Sequence, residues 1–240
     1  MRRFDDEDLA GAEFRECDLS GARLVGVVME NVEIDGLVTN LSVNGVEVMP
    51  YVEAELDRRY PVRLLIRSED PGDLRMAWQQ LGDDWAATIE RVRSMPEGTE
   101  HESVDREWST IETLRHLVFV HDSWFRRCVL GLTEPFTAMG LASAFVPDQE
   151  ELGLDRSARP ELDEVLIVRE RQASEVEAFL AEVTPERLAM PALVPDDDRW
   201  PPYAKGRRVQ QCLGTVLNEE WEHHRFCVRD LDKLSRRGVL

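Results

Sequence analysis

The C-terminal segment carries a stripe of residues with the spacing of one side of an α-helix. Its members follow at alternating intervals of four and three: Leu213, Leu217, Glu220, His224, Cys227, Leu231 and Leu234. This spacing predicts a long amphipathic helix whose stripe faces the core. Glu220 and His224 are polar, and burying a carboxylate or an imidazole costs free energy unless it is paired. The rest of the chain must therefore supply a partner for both.

Two kinds of partner suit Glu220 and His224. A divalent metal ion is one, because a carboxylate and a histidine four residues apart on a helix have the spacing of a chelating pair. The other is a structural hydrogen-bonded pair, closed by an arginine. Spacing alone leaves both interpretations open.

The segment from residue 5 to about residue 46 has another period. Apolar residues recur every five positions, at Leu9, Phe14, Leu19, Leu24, Met29 and Ile34. A period of five predicts a four-sided coil with apolar positions pointing inward. The units Cys17–Gly21 and Ala22–Gly26 resemble the pentapeptide-repeat family, some members of which mimic DNA with long solenoids. Repeats bury their core only against neighbours, so six or seven units imply a small β cap or a dimer contact.

Three short β-like runs come next, separated by an Asn-Gly pair and by prolines: Leu41–Val43, Val46–Val48 and Val62–Ile66. We expect them to link the repeat segment to the C-terminal part of the chain. The predicted domains are therefore residues 1–67 and 68–240.

From Asp70 onward the apolar period is helical. Long helices are predicted over about residues 70–93, 109–131, 162–183 and 209–234, and Ser109 with Glu112 forms a capping box at the start of the second. Four long amphipathic helices predict a four-helix bundle. The expected fold class is mainly α, preceded by a small β segment.

A metal site on the last helix needs a ligand from another helix. His116 and His121, both on the second predicted helix, are the candidates. His121 lies on the more regular apolar side by periodicity, whereas His116 lies on a neighbouring side. Physical grounds alone do not choose between them.

The run Trp108–Leu117, in which a tryptophan precedes His116 by eight residues, resembles the second-helix motif of the DinB-like (YfiT-like) superfamily. The run Asn218–Arg225 resembles the last-helix motif of that superfamily. The resemblance covers about residues 70–235. It implies a four-helix bundle with a divalent metal, often zinc or nickel, held by three side chains at one end. Members include thiol S-transferases that use bacillithiol or mycothiol.

Carried over to this chain, the resemblance implies His116, Glu220 and His224 as metal ligands. Glu220 stands where the family usually has histidine, and a carboxylate suits zinc or iron. His121 is then a fourth ligand or a general base. A metal with an open position would activate a water or a thiolate for thiol transfer or hydrolysis of a small molecule. The alternative is a non-catalytic assembly protein with a degenerate metal site, docking through its repeat segment.

The charge of the chain restricts its partners. The formal net charge is −19, which disfavours both nucleic acid and anionic membrane surfaces. No run is long and apolar enough to span a membrane, and the four cysteines form no C-x-x-C pair. We expect a cytoplasmic protein that acts on a small molecule and forms a homodimer.

Overall fold

The chain is divided into two compact units, and the boundary lies between Met49 and Pro50. The computed structural model describes residues 3–15 and 17–237. Within this part the chain is mainly helical, with one small antiparallel sheet. No described helix is long and apolar enough to cross a membrane.

The sheet of the first unit is a β-hairpin. Strands β1 (Ser42–Val43) and β2 (Val46–Glu47) pair with Ser42 opposite Glu47. The turn residues Asn44 and Gly45 have φ values of 50° and 81°. A two-residue turn with both φ values positive matches the right-handed twist of the strands, which is why Asn-Gly favours it. The first two β-like runs therefore form this hairpin.

Several described residues before the hairpin have left-handed backbone at intervals of five or ten residues. Left-handed φ values occur at Asp6, Gly11, Gly21, Gly26, Asn31 and Gly36. The apolar residues predicted to point inward, from Leu9 to Ile34, are instead 44–64% exposed, and no described residue before Pro50 is buried. The physical reason is that so short a segment supplies no second layer to cover them. Its likeness to pentapeptide repeats remains a prediction.

The third β-like run forms a helix. Helices α1 (Met49–Arg59) and α2 (Val62–Ile66) precede the long helices, and α2 packs on two of them. Val62 and Ile66 are buried at helical spacing, and the buried guanidinium of Arg63 pairs with Asp57 of α1 at 2.8 Å. A short apolar run fits strand and helix equally, so only this packing decides. Because α1 and α2 join the helical unit, the division falls before residue 50, whereas the sequence placed it after residue 67.

Helix α3 (Pro71–Ser94) begins at Asp70, whose carboxylate accepts hydrogen bonds from the backbone N–H groups of Gly72 and Asp73. Helix α4 (Thr110–Val120) begins with the predicted capping box of Ser109 and Glu112. It continues as a π-helical segment over His121–Val129. Both starts satisfy backbone donors that a helix terminus leaves unpaired.

Three further helices complete the unit: α5 (Leu162–Glu182), α6 (Pro185–Ala189) and α7 (Val209–Arg237). Short 3₁₀ turns lie at Thr99–His101 and Pro202–Ala204. Helix α7 packs against α3, α4 and the π-helical segment, while α5 packs against α3 and α4. The core therefore surrounds α7 on more than one side.

The connection between the π-helical segment and α5 is fastened to α4 by Arg115. This buried side chain donates hydrogen bonds to the carbonyl oxygens of Met139, Asp155 and Ala158 at 2.7–2.8 Å. Burial lowers the pKa of Arg115, yet a guanidinium stays charged at neutral pH. One side chain thus fixes three points of a long connection next to His116.

We predict that Arg115→Leu destabilises the protein by about 2–4 kcal/mol, because three carbonyl groups of the connection lose the buried side chain that donates to them. Urea unfolding measures the change. The matched control is Arg156→Leu at an exposed position in the same connection, which should change the free energy of unfolding by less than about 0.5 kcal/mol. Equal effects of the two substitutions would contradict the assigned role of Arg115.

Candidate metal centre

Three side chains, His116, Glu219 and His223, place one ligand atom each within 4.8 Å of the others. They form the one group of three or more histidine, cysteine, aspartate or glutamate side chains with this geometry in the described part of the chain. His116 is buried, and Glu219 and His223 are half-buried.

Two helices supply these residues. His116 lies on α4, while Glu219 and His223 lie one turn apart on α7, which packs against α4. Residues four apart share a helix face. Accordingly, Nε2 of His223 lies 3.1 Å from a carboxylate oxygen of Glu219. The pair on α7 therefore presents an imidazole and a carboxylate together to His116.

The backbone fixes which nitrogen of His116 faces this pair. Nδ1 lies 3.0 Å from the carbonyl oxygen of Leu141. A carbonyl can only accept, so Nδ1 carries the proton and the neutral ring has its lone pair on Nε2. Nε2 lies 3.5 Å from a carboxylate oxygen of Glu219. Two lone-pair atoms thus face each other, an arrangement that requires a proton or a cation between them.

A divalent metal fits this arrangement. Ligands held about 2.1 Å from a tetrahedral ion lie about 3.4 Å apart, close to the separations of 3.1 and 3.5 Å from Glu219 to the two histidines. The Leu141 carbonyl fixes the His116 ring in the way that outer partners orient metal-bound histidines.

Electrostatics favour the protonation states that a metal needs. Burial alone would raise the pKa of Glu219, but the neighbouring imidazoles of His116 and His223 outweigh it and hold that pKa at about 2. Burial lowers the pKa of His116, and Glu219 offsets this only in part. At neutral pH the carboxylate is ionised and His116 is neutral, so both offer lone pairs.

Trp108 supports both imidazoles. Its ring centroid lies 4.6 Å from that of His116 and 6.0 Å from that of His223, onto which it stacks at an interplanar angle of 25°. Aromatic contacts of this kind fix ring orientation. The tryptophan eight residues before His116 therefore forms part of the wall of the site.

The family model described as the DinB superfamily matches residues 80–227. The chain belongs to the DinB superfamily. The matched range contains His116, Glu219 and His223, and it begins after the repeat segment. No curated protein and no solved structure matches the chain.

In the structure of this DinB member, Glu220, which the resemblance implied as a metal ligand, pairs with an arginine. Its side chain is 3% exposed, and its carboxylate accepts a hydrogen bond at 2.7 Å from Arg169 of α5. The alternative of a structural pair closed by an arginine therefore describes Glu220. Glu220 lies about 100° around α7 from Glu219, so the two carboxylates face different helices.

His224 also faces away from the three-residue cluster. Its Nε2 lies 2.8 Å from the hydroxyl of Thr88 and 3.2 Å from the carbonyl oxygen of Asp84, both on α3. Burial lowers the pKa of His224, which favours the neutral ring, and Nε2 carries its proton because the carbonyl oxygen of Asp84 can only accept. Among the described residues, no metal-binding group contains Glu220 or His224, and of the predicted ligands only His116 lies in the cluster.

Glu219 and His223 were not predicted as ligands because they lie beside the apolar seam of α7 rather than on it. Both pairs have the same spacing, and the seam of leucines favoured the pair at 220 and 224. Because α7 contacts several neighbouring helices, its buried part is wider than one seam, and both carboxylate–histidine pairs fall within it. Which helix each pair faces is what distinguishes the two pairs.

His121, the predicted general base, lies in the π-helical segment. It is 1% exposed, and no described residue forms a hydrogen bond with either ring nitrogen. A carboxylate oxygen of Asp122 lies 4.0 Å from Nδ1. His121 is not a member of the cluster around His116, and its catalytic role stays a prediction.

We predict that His121 makes the protein less stable in mild acid. Burial lowers the pKa of His121, which Asp122 offsets only in part, so between its folded pKa and about 6.5 the unfolded chain binds the extra proton. Its contribution to stability is full above about pH 6.5 and is lost as the pH falls below that value. His121→Phe should flatten the slope of the unfolding free energy by up to about 1.4 kcal/mol per pH unit.

Urea unfolding at several pH values between about 5 and 7 tests this. The exposed His101 provides the matched control, because His101→Phe should leave the slope as in the wild type. An unchanged slope in His121→Phe would show that another group titrates.

We further predict that Glu220→Ala costs about 3–5 kcal/mol, because it leaves the half-buried guanidinium of Arg169 without its carboxylate. The double variant Glu220→Leu with Arg169→Met should recover much of this loss. The exposed Glu177 of α5 serves as control, and Glu177→Ala should change stability by less than about 0.5 kcal/mol. A Glu220→Ala variant as stable as this control would remove the structural assignment of the pair.

Proposed function

We propose that this DinB superfamily member is a metal-dependent enzyme whose divalent ion is held by His116, Glu219 and His223. The observation that carries the proposal is the orientation of His116, whose Nε2 lone pair faces the Glu219 carboxylate because Leu141 engages Nδ1. We also propose that α3, α4 with its π-helical extension, α5 and α7 form the four-helix bundle of the family. We further propose that the protein is cytoplasmic.

The three donor side chains restrict the choice of metal ion. Two imidazoles and one carboxylate are acceptable to zinc, iron and nickel, whereas calcium and magnesium prefer oxygen ligands. A divalent ion among two neutral histidines and one carboxylate keeps one net positive charge. It would supply Lewis acidity, which lowers the pKa of a coordinated water or thiol.

Neighbouring residues of the chain position the proposed metal ligands. Leu141 holds His116 in one tautomer, and Trp108 holds the rings of His116 and His223. Arg115 fastens the connection that carries Leu141. Three protein ligands leave a coordination position for a substrate, which fits thiol transfer with a low-molecular-weight thiol such as mycothiol or bacillithiol, or hydrolysis of a small molecule.

A second candidate function is a non-catalytic assembly protein. The observation that favours it is the exposure of the apolar side chains from Leu9 to Ile34, since clustered exposed apolar groups mark interaction sites. In this function the repeat segment docks a partner, such as a second copy of the chain in a homodimer.

We predict about one transition metal ion per chain in protein purified without an affinity tag. Glu219→Gln and His223→Ala should each lose most of the metal, because each removes one of three ligands. The adjacent substitutions Glu220→Gln and His224→Asn are matched controls that should retain it. Mass spectrometry of metal content measures all five proteins.

Two results would contradict the proposed site. Loss of metal in the control variants together with retention in Glu219→Gln and His223→Ala would support the ligand set predicted from sequence. A metal-free wild type that cannot be reconstituted would favour the assembly protein.

A further inference from the structure

A cleft of about 540 Å³ lies beside α7, on another side of the helix from the metal ligands. Its lining includes Trp221, Arg225 and Val228 of α7, together with residues of α3 and the start of α2. Trp221 and Arg225 follow Glu219 and His223 by two residues each, which is about 200° around a helix. The cleft is therefore separate from the proposed metal centre.

The charge of this cleft is opposite to that of the chain. Its lining holds five basic side chains, Arg59, Arg225, Arg229, Lys233 and Arg236, against two carboxylates, Asp84 and Asp232. The chain as a whole carries a net charge of −19. A positively charged concavity on an acidic protein attracts small anions, while the surrounding charge repels large polyanions.

Four of the five basic side chains pair with carboxylates that do not line the cleft: Arg59 with Glu55, Arg225 with Glu222, Arg229 with Glu107 and Asp230, and Lys233 with Asp105. The Lys233–Asp105 and Arg59–Glu55 pairs each have an N···O distance of 2.7 Å, and the side chains of these two pairs are 41–60% exposed. Exposed ion pairs contribute little to stability, so an incoming anion can exchange with them at small cost.

The floor of the cleft is apolar and fixed in place. Val62 and Trp221 are each 4% exposed. The Trp221 ring lies 4.6 Å from the guanidinium of Arg63 and 5.2 Å from that of Arg225, and the Tyr60 ring meets it edge-on at 5.5 Å. A floor held by such contacts is preformed, which reduces the entropy lost when a ligand binds.

The lining of the cleft also includes residues with hydrogen-bond acceptors. Asp84 and His224 both line it, and the Nε2–H of His224 is engaged by the backbone carbonyl oxygen of Asp84. Only Nδ1 of His224 is left to a ligand, and as an acceptor. The cleft thus combines cations at its rim, an apolar floor and acceptors beside α3.

We propose that this cleft binds a small organic anion with an apolar body, a carboxylate or phosphate group directed to the basic rim, and a hydrogen-bond donor directed to Asp84 and His224. Its volume lies in the range of small-molecule sites, about 300–1,000 Å³. Arginine and lysine are the side chains that recognise carboxylate and phosphate. The site requires no metal and is independent of the proposed enzyme activity.

Isothermal titration calorimetry on the full-length, metal-free protein tests this inference. The probes are phenyl phosphate and benzoate, with benzyl alcohol as the neutral analogue. We expect one site per chain for at least one anion, with affinity falling as sodium chloride rises from about 0.05 to 0.5 M. Tighter binding of phenyl phosphate would identify a phosphate ligand, and tighter binding of benzoate a carboxylate ligand.

Matched variants locate the site. Lys233→Gln with Arg236→Gln should weaken binding by about tenfold or more, because two rim cations are removed. Arg156→Gln with Arg171→Gln, two exposed positions outside the lining, changes the net charge equally and should leave affinity within about twofold. Val228→Trp should block the cleft, and His116→Ala should bind like the wild type.

Three results would overturn the inference. The first is no binding of either anion up to about 10 mM. The second is equal weakening in the two double variants, which would indicate a general charge effect. The third is loss of binding in His116→Ala with retention in Val228→Trp, which would place the anion at the other site. Melting temperatures of all variants confirm that each is folded.

Discussion

Helix α7 packs against α3, α4 and the π-helical segment at once, and the chemistry of the molecule depends on this position. A helix packed on one side presents a single polar stripe to solvent. Here, neighbouring stripes face different elements: Glu219 and His223 face His116 of α4, while Glu220 faces Arg169 of α5 and His224 faces Thr88 of α3. A step of one residue, about 100° of rotation, thus separates a candidate metal ligand from a structural ion pair.

Buried polar groups fix these relations because each is satisfied by a particular neighbour. The fully buried Asp122 accepts hydrogen bonds from the Thr137 backbone N–H at 2.7 Å and from Gln172 of α5 at 2.9 Å. Arg115 likewise ties the connection that leads to α5 onto α4. Removing one partner of such a group costs more than the pair contributes, so each strongly disfavours alternative packings. His121 differs, because neither of its ring nitrogens has such a partner among the described residues. Burial lowers its pKa, which favours the neutral ring.

Local sequence signals predicted local structure well. Ser109 with Glu112 marked the start of α4, Asn44 with Gly45 marked the hairpin turn, and the leucine spacing marked α7. The run Val62–Ile66 was ambiguous because five apolar and basic residues carry no decisive period. Its helical form depends on contacts with α3 and α7, which no local pattern contains.

The choice of metal ligands likewise depends on contacts that no local sequence pattern contains. Glu219 with His223 and Glu220 with His224 are both carboxylate–histidine pairs at four-residue spacing, so this spacing alone does not distinguish them as ligands. Their difference comes from Arg169 and Thr88, which lie far away in sequence and meet only the second pair. His116 was identifiable because Trp108 and the surrounding motif resemble a known family, and Trp108 indeed packs on its ring.

The same geometry links metal binding to the docking of a long connection. Leu141, which fixes the His116 tautomer, lies between Met139 and Asp155, whose carbonyl oxygens accept from Arg115. Releasing this connection would free Nδ1 of His116 and let the ring turn away from Glu219. A ligand that binds only the docked form stabilises it by mass action. Metal bound by His116, Glu219 and His223 should therefore protect the backbone near Leu141 from hydrogen exchange, while Glu220, about 100° around α7, keeps its pair with Arg169 in either state.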